Sequence, residues 1–413
     1  MTFSTKQTRL KHCMIVYAIY PLGETRVQRE AEALVKSGYE VDVICFRLRG
    51  ESPVDEFKGV TIYREKDLIP INHSLGSGLS KKFLEYISFF LSAAYRVTKL
   101  HVQKHYSTIQ VHNLPDFLVF CALIPKLMKV PIILDLHDLM PEFYASRTGN
   151  SKSLLARLIR FQERMACKFA DHVITVSEHW RKSLIQRGVP EEKCSVVMNV
   201  ADDTIFHPSE QARNLTHDVD VFRLIYHGTF VERYGLDLAI RAVDRVRLEI
   251  PGIHLTLVGW GEFLPDMIEM INQLGLKDHI KIEDLHQAEE LPEIICSCNL
   301  GVVPYRNDIF TDGLLPTKLM EYAAMGIPAI AARTSAILSY FTDSNVEFFE
   351  PGNLHDLVRC IIMLYKNPVR MIELANNSQN FNGRYNWTQI SKEYVTLVNR
   401  LGSNNPESGS PKP

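Results

Sequence analysis

The chain has 413 residues, 46% of them hydrophobic and 23% charged, with 46 Lys and Arg balancing 48 Asp and Glu. With that near-neutral balance nothing global points to a nucleic-acid binder, and the length supports two or three separately cored domains. The eight cysteines are scattered, and the close pair Cys296 and Cys298 has neither zinc-ribbon nor thioredoxin spacing, so they read as reduced thiols of a cytoplasmic protein.

In chain order, a basic start (Lys6, Arg9, Lys11) runs into a short apolar stretch that reads as a first strand, Cys13 to Ile19, and not as a signal peptide. A Pro-Leu-Gly turn at 21–23, a helix over about 26–36 and a strand at 40–46 follow. Beyond an irregular stretch, the 80–105 region is helical. Its longest apolar run, Ile87 to Tyr95, is far below the roughly 20 residues that span a bilayer. Strands at 109–112, 131–136, 173–177 and 195–199 then alternate with helices near 115–127, 152–170 and 178–187. Polar, aperiodic residues around Pro208 mark a linker, and the Asp218-Val-Asp220 within it resembles a metal motif by chance only.

A second alternation begins at Arg223–His227, continues through a helix over 236–247, a strand at 254–258, a helix over 263–274 and a strand at 280–283, and ends in a distinctive segment. There the buried strand Gly301-Val-Val-Pro304 precedes Pro316-Thr-Lys318-Leu-Met-Glu321-Tyr-Ala-Ala-Met-Gly326-Ile-Pro328. Leu319, Met320, Ala323 and Ala324 form an apolar helical face with Glu321 off it, Gly326 ends the helix in the left-handed conformation, and Pro328 bars its continuation. Alternating strands and helices predict an α/β protein of two Rossmann-like doubly wound domains facing a central cleft. The expected boundaries are an extension at 1–11, an N-terminal domain at 12–205, a linker at 206–221, a C-terminal domain at 222–385, a closing helix at 386–402 and a disordered tail at 403–413.

This segment resembles the signature of family 4 glycosyltransferases, retaining enzymes of the GT-B fold that use nucleotide-activated sugars, and the resemblance extends from about Cys13 to Leu401. It implies that the second domain binds a nucleoside diphosphate sugar and that the closing helix returns to the first domain. Glu321 would hold the ribose hydroxyls, and amides around Leu315 and Thr317 would face the diphosphate at the positive end of the helix dipole. The family's usual first glutamate is replaced by Gly313, leaving Asp312 as the neighbouring substitute. His227-Gly228-Thr229 through Arg233-Tyr234-Gly235 is similar to the family's diphosphate loop, with Thr229 and Tyr234 where a cation pair is usual. The neutralising role would pass to Arg233, with Lys318 second.

In the first domain, at Asp135-Leu-His137-Asp138-Leu-Met-Pro-Glu142, the resemblance implies that His137 hydrogen-bonds the donor sugar and that Asp138 or Glu142 helps shape the acceptor side. Gly23 and Arg26 stand where the family has a glycine-rich loop over the diphosphate and acceptor. Gly259-Trp260-Gly261 lacks a third glycine, so it is a poor dinucleotide fingerprint; the family uses this loop near the base. No metal and no other cofactor is expected. The acceptor would be a glycan or lipid-linked oligosaccharide, met at the inner face of the cytoplasmic membrane through peripheral contact of the 80–104 region. A second basic row, Arg157, Arg160, Arg164 and Lys168, falls on one helical face. Alternatives are a non-catalytic GT-B partner subunit or another GT-B activity such as a sugar-nucleotide epimerase.

Overall fold

The computed structural model describes residues 9–21, 24–66, 79–208 and 221–403. Gly23, Asp218, Asp220, and most of the expected linker and tail lie outside the described residues. The chain divides into two compact units, Met1–Val197 with Ser391–Pro413, and Met198–Ile390.

The first unit runs β1 (Lys11–Ile15), α1 (Thr25–Lys36), β2 (Glu40–Phe46), β3 (Val54–Phe57), β4 (Val60–Glu65), α2 (Leu79–Lys104) and β5 (Thr108–His112). A 3-10 segment (Asp116–Ala122) leads into α3 (Leu123–Leu127), β6 (Ile132–Leu136), α4 (Met140–Thr148), α5 (Leu154–Phe169), β7 (His172–Thr175), α6 (Glu178–Gln186) and β8 (Cys194–Val196). The strands form one sheet in the order β3-β4-β2-β1-β5-β6-β7-β8, parallel except for the β3–β4 pair. Every residue of β5, β6 and β7 is buried, as expected where helices cover both sheet faces.

Two local expectations are corrected, and one helix is added. The stretch after β2, expected to be irregular, is the β3–β4 hairpin, turned by Lys58 and Gly59 at positive φ of 48° and 79°. It was illegible because β3 is a largely exposed edge strand without apolar alternation. The helix expected near 115–127 begins as a 3-10 segment. Residues 140–148, to which the sequence reading assigns no element, form α4, with Pro141 in its first turn and Gly149 closing it in the left-handed region.

The second unit runs β9 (Phe222–His227), α7 (Leu236–Val246), β10 (Ile253–Val258), α8 (Leu264–Gln273), β11 (Ile280–Glu283), α9 (Leu291–Cys296), β12 (Leu300–Val303) and α10 (Thr317–Met325). It ends with β13 (Ala329–Ala332), α11 (Ser335–Leu338), β14 (Glu347–Phe349), α12 (Leu354–Lys366) and α13 (Pro368–Arg384). Its six parallel strands lie in the order β11-β10-β9-β12-β13-β14. Gly326 caps α10 at φ 72°. The last helix, α14 (Trp387–Ser403), joins the first unit from Ser391 onward: Tyr394 donates its hydroxyl to Gln110 Oε1 at 2.7 Å, and Tyr39 donates to Asn399 Oδ1 at 2.5 Å. Among the described residues no helix is long and apolar enough to cross a membrane.

Candidate active site

In the second unit the strand order reverses between β9 and β12, so their connections diverge and leave a crevice at the strands' carboxyl ends. Gly228 follows β9 there, and α10 begins behind Pro316, which supplies no side-chain cap to its first turn. Lys318, on the first turn of α10, is 6% exposed. Its Nζ donates to the Tyr305 hydroxyl at 3.0 Å and lies over the rings of Tyr226, Tyr305 and Tyr234 at 4.7, 5.1 and 5.6 Å. A β-carbon at Gly228 would stand 3.3 Å from Cε and Nζ of Lys318, so the ammonium lies against this turn. Burial lowers the Lys318 pKa to about 8, with Tyr234 and Glu321 acting in the opposite direction. The aromatic faces partly replace the water that this cation has lost.

Tyr234, at the position where a cation is usual, thus forms a wall of the lysine cage, stacked 4.5 Å from Tyr305. The Arg233 guanidinium lies 5.3 Å over Phe310. Thr229 is exposed, and its carbonyl accepts the Tyr226 hydroxyl at 2.8 Å. Gly259, at φ 144°, packs so closely that a β-carbon would sit 2.0 Å from the Gly228 carbonyl oxygen. The Gly259 turn therefore supports the site from behind, through Gly228.

Glu321, one turn beyond Lys318, has a side chain 15% exposed and Oε2 3.2 Å from His227 Nε2. That approach is not a hydrogen bond, since His227 Nε2 has no hydrogen-bond partner among the described residues. Burial, reinforced by the Lys318 charge, lowers His227 to about 3, so its imidazole is neutral and the contact is not an ion pair. Gly313 is buried at the end of a 3-10 turn (Thr311–Gly313), while Leu315 and Thr317 are partly exposed. Asp312 accepts the Ser335 amide at 2.8 Å, which commits one of its oxygens to the start of α11.

In the first unit, β5 and β6 end side by side with His112 opposite Asp135. Asp135 is fully buried, and Arg26 donates to its two oxygens through Nε and Nη2, both at 2.9 Å. His112 Nδ1 and His137 Nε2 approach the same carboxylate at 3.1 and 3.3 Å. Burial would raise the Asp135 pKa, but Arg26 and His137 outweigh it and hold the carboxyl well below its ordinary value. Burial would lower His137, and the Asp135 charge reverses this, so His137 holds its proton more tightly than usual. His112, lowered to about 4 chiefly by burial, is neutral. Asn113 clamps the turn, accepting the His137 amide at 2.8 Å and donating to the Asp138 carbonyl at 2.6 Å. Glu24, its pKa raised by burial, interacts electrostatically with His137, Asp135 and Asp138.

Two acceptor-side expectations change here. Arg26 is 5% exposed and spent on Asp135, Glu30 and the Val197 carbonyl. Glu142, 7% exposed, is ion-paired with Arg187, which also binds Glu163 at 2.9 Å. Both hold the fold together instead of facing an acceptor; Asp138 stays partly exposed beside His137. Sequence reasoning missed His112, Asn113 and Asp135 as a constellation, although polar residues ending two buried strands were the available signal. Donor atoms of His112, Asp135 and His137 lie close enough together for a metal ion. Arg26 already donates to both Asp135 oxygens and both imidazoles meet the same carboxylate, so the cluster is fully engaged as a hydrogen-bonded acid–base group.

Residues 23–205 match the profile of Glycosyltransferase Family 4, and residues 221–367 match that of Glycosyl transferases group 1. A chitobiosyldiphosphodolichol beta-mannosyltransferase from Debaryomyces hansenii is 23% identical over 78% of this chain and 72% of its own length. Among solved structures, sucrose-phosphate synthase from Thermosynechococcus elongatus superposes with a TM-score of 0.76 at 18% identity, over 96% of this chain and all of the other. Anabaena HepE in complex with UDP gives 0.71 at 16% identity, over 95% of this chain and all of the other. The fold is therefore GT-B.

Proposed function

The chain belongs to glycosyltransferase family 4, and from that membership we propose a retaining, metal-independent enzyme that moves a sugar from a nucleoside diphosphate to a hydroxyl of a glycan or lipid-linked oligosaccharide. Surface polysaccharide synthesis is the proposed setting. The observation that carries the proposal is the caged Lys318 beside the uncapped start of α10, a preorganised site for a diphosphate. The UDP complex of HepE supports a nucleoside diphosphate as ligand, and the mannosyltransferase relative supports a lipid-linked acceptor.

Lys318 and the first-turn amides of α10 take the charge of the departing diphosphate, in preference to Arg233. Glu321 accepts hydrogen bonds from the ribose hydroxyls. His137, oriented by Asp135 and holding its proton more tightly than usual beside it, donates to a hydroxyl of the transferred sugar. The bond from the anomeric carbon to the phosphate oxygen breaks while the acceptor oxygen bonds from the same face, and the leaving phosphate oxygen takes the acceptor proton. The chain contributes positioning and electrostatic stabilisation. Contact of α2 with the membrane face would bring the enzyme to a lipid-linked acceptor.

Nucleoside diphosphate release from a panel of sugar nucleotides, with and without a bacterial lipid extract, tests this. Extract-dependent release from one donor is expected. Silence across the panel, with no nucleotide binding, would favour a non-catalytic subunit.

A further inference from the structure

On α5, Leu154, Leu158, Phe161 and Met165 are exposed by 81%, 60%, 60% and 38%. Their spacing aligns them in one row along the helix. Arg157, Arg160, Arg164 and Lys168 form a second exposed row beside it. The helix's one carboxylate, Glu163, is 2% exposed and bound by Arg187, so α5 shows solvent an apolar stripe edged by cations and no anion. Neither Arg157, Arg164 nor Lys168 is paired with a carboxylate among the described residues. The opposite face, through Ala156, Ile159, Ala166 and Cys167, is buried in the unit.

The apolar surface continues onto neighbouring elements. Phe169 at the end of α5 packs 5.0 Å from Phe120 of the 3-10 segment, which passes into α3 with Leu123, Ile124 and Leu127 exposed. Phe117 of the same segment packs 6.0 Å from Phe90 of α2. On α2, Leu84, Leu91, Tyr95 and Val102 are exposed, at positions that fall in a single row along the helix. Three helices gathered around one 3-10 segment thus expose apolar side chains.

A solvated helix face mixes charges of both signs. An apolar stripe bordered by Arg and Lys alone complements the headgroup layer of an anionic bilayer, where the apolar side chains enter the acyl boundary and the cations meet lipid phosphates. We propose that α5, with α3 and α2 beside it, lies in the headgroup plane of an anionic membrane. This deepens the lipid-linked acceptor reading and rests on it for its purpose only. Vesicle binding is measured without catalysis, so each reading fails separately.

The test is sedimentation of the full chain with phosphatidylcholine vesicles, with and without phosphatidylglycerol. Binding to the anionic vesicles, weakened by added salt, is expected. Arg157→Gln with Arg164→Gln and Lys168→Gln should weaken it on the order of a hundredfold, from about fivefold per cation near a charged surface. Leu158→Ser with Phe161→Ser should abolish it. Melting temperature and UDP or GDP binding serve as controls and should stay unchanged. Absence of binding to phosphatidylglycerol vesicles, or equal binding by the variants, would overturn the proposal. So would a dimer in sedimentation velocity that the same substitutions dissolve while vesicles go unbound, since a second copy would then cover the surface.

Discussion

Replacing Lys318 by Met should stabilise the folded chain while weakening its hold on nucleoside diphosphates. Burial takes this lysine from 10.5 to about 8, so the folded chain binds the proton roughly 300-fold less tightly than the unfolded chain, a cost of about 3 kcal/mol at neutral pH. Removing the charge recovers that cost, less about 1 kcal/mol for the Tyr305 hydroxyl left without its partner. A net gain of about 2 kcal/mol is expected from urea unfolding at pH 7. The sign over pH is fixed by the lowered pKa. Below pH 8 both states are protonated and the full cost is present. Between 8 and 10.5 the folded lysine loses its proton first, so the advantage of the Met variant shrinks as pH rises. Calorimetric titration with UDP and GDP should meanwhile show affinity reduced 10- to 150-fold, from about 1.5–3 kcal/mol for a hydrogen bond to a charged group. Wild-type affinity should fall above pH 8 and that of the variant stay flat. A variant no more stable than wild type, binding both nucleotides equally well, would refute the reasoning.

Glu321→Ala should lower donor turnover on the order of a hundredfold or more with an unchanged melting temperature, since the two ribose hydrogen bonds proposed for its carboxylate would be lost; near-normal diphosphate release would remove this residue from the mechanism. Asp135→Asn should cost about 3 kcal/mol in urea unfolding, at the low end for a broken buried pair because Glu30 remains 3.1 Å from Arg26. Proton NMR of the same variant should show the His137 pKa falling; a pKa still above the ordinary histidine value would sink the assigned cause. Gly235→Ala should destabilise the second unit by about 2 kcal/mol or more, because its φ is 69° and a β-carbon would lie 1.9 Å from the Pro304 carbonyl oxygen. An unaltered denaturation midpoint would show that the β9–α7 turn relaxes freely.

Features settled within a few residues were legible in the chain. Gly326 ends α10 because a left-handed cap is a local demand, and the buried strands show as short, β-branched apolar runs bounded by turn residues. The pairing of Lys318 with Tyr226, Tyr234 and Tyr305 was not legible, because those rings come from β9, the turn before α7 and the loop after β12. The same reason explains the two misplaced acceptor residues. A charge beside a motif reads alike whether it faces a ligand or a buried partner, and the partner of Arg26 is 109 residues away while that of Glu142 is 45 away.

By itself, then, the sequence determined the alternating α/β architecture, the family and the helix that carries Lys318 and Glu321, all through local periodicity, caps and spacing. Only the tertiary structure decided which charges are spent inside the fold and which cation lies caged against the Gly228 turn. Ion pairing and cation burial depend on distances between segments remote in the chain, and no local pattern encodes those.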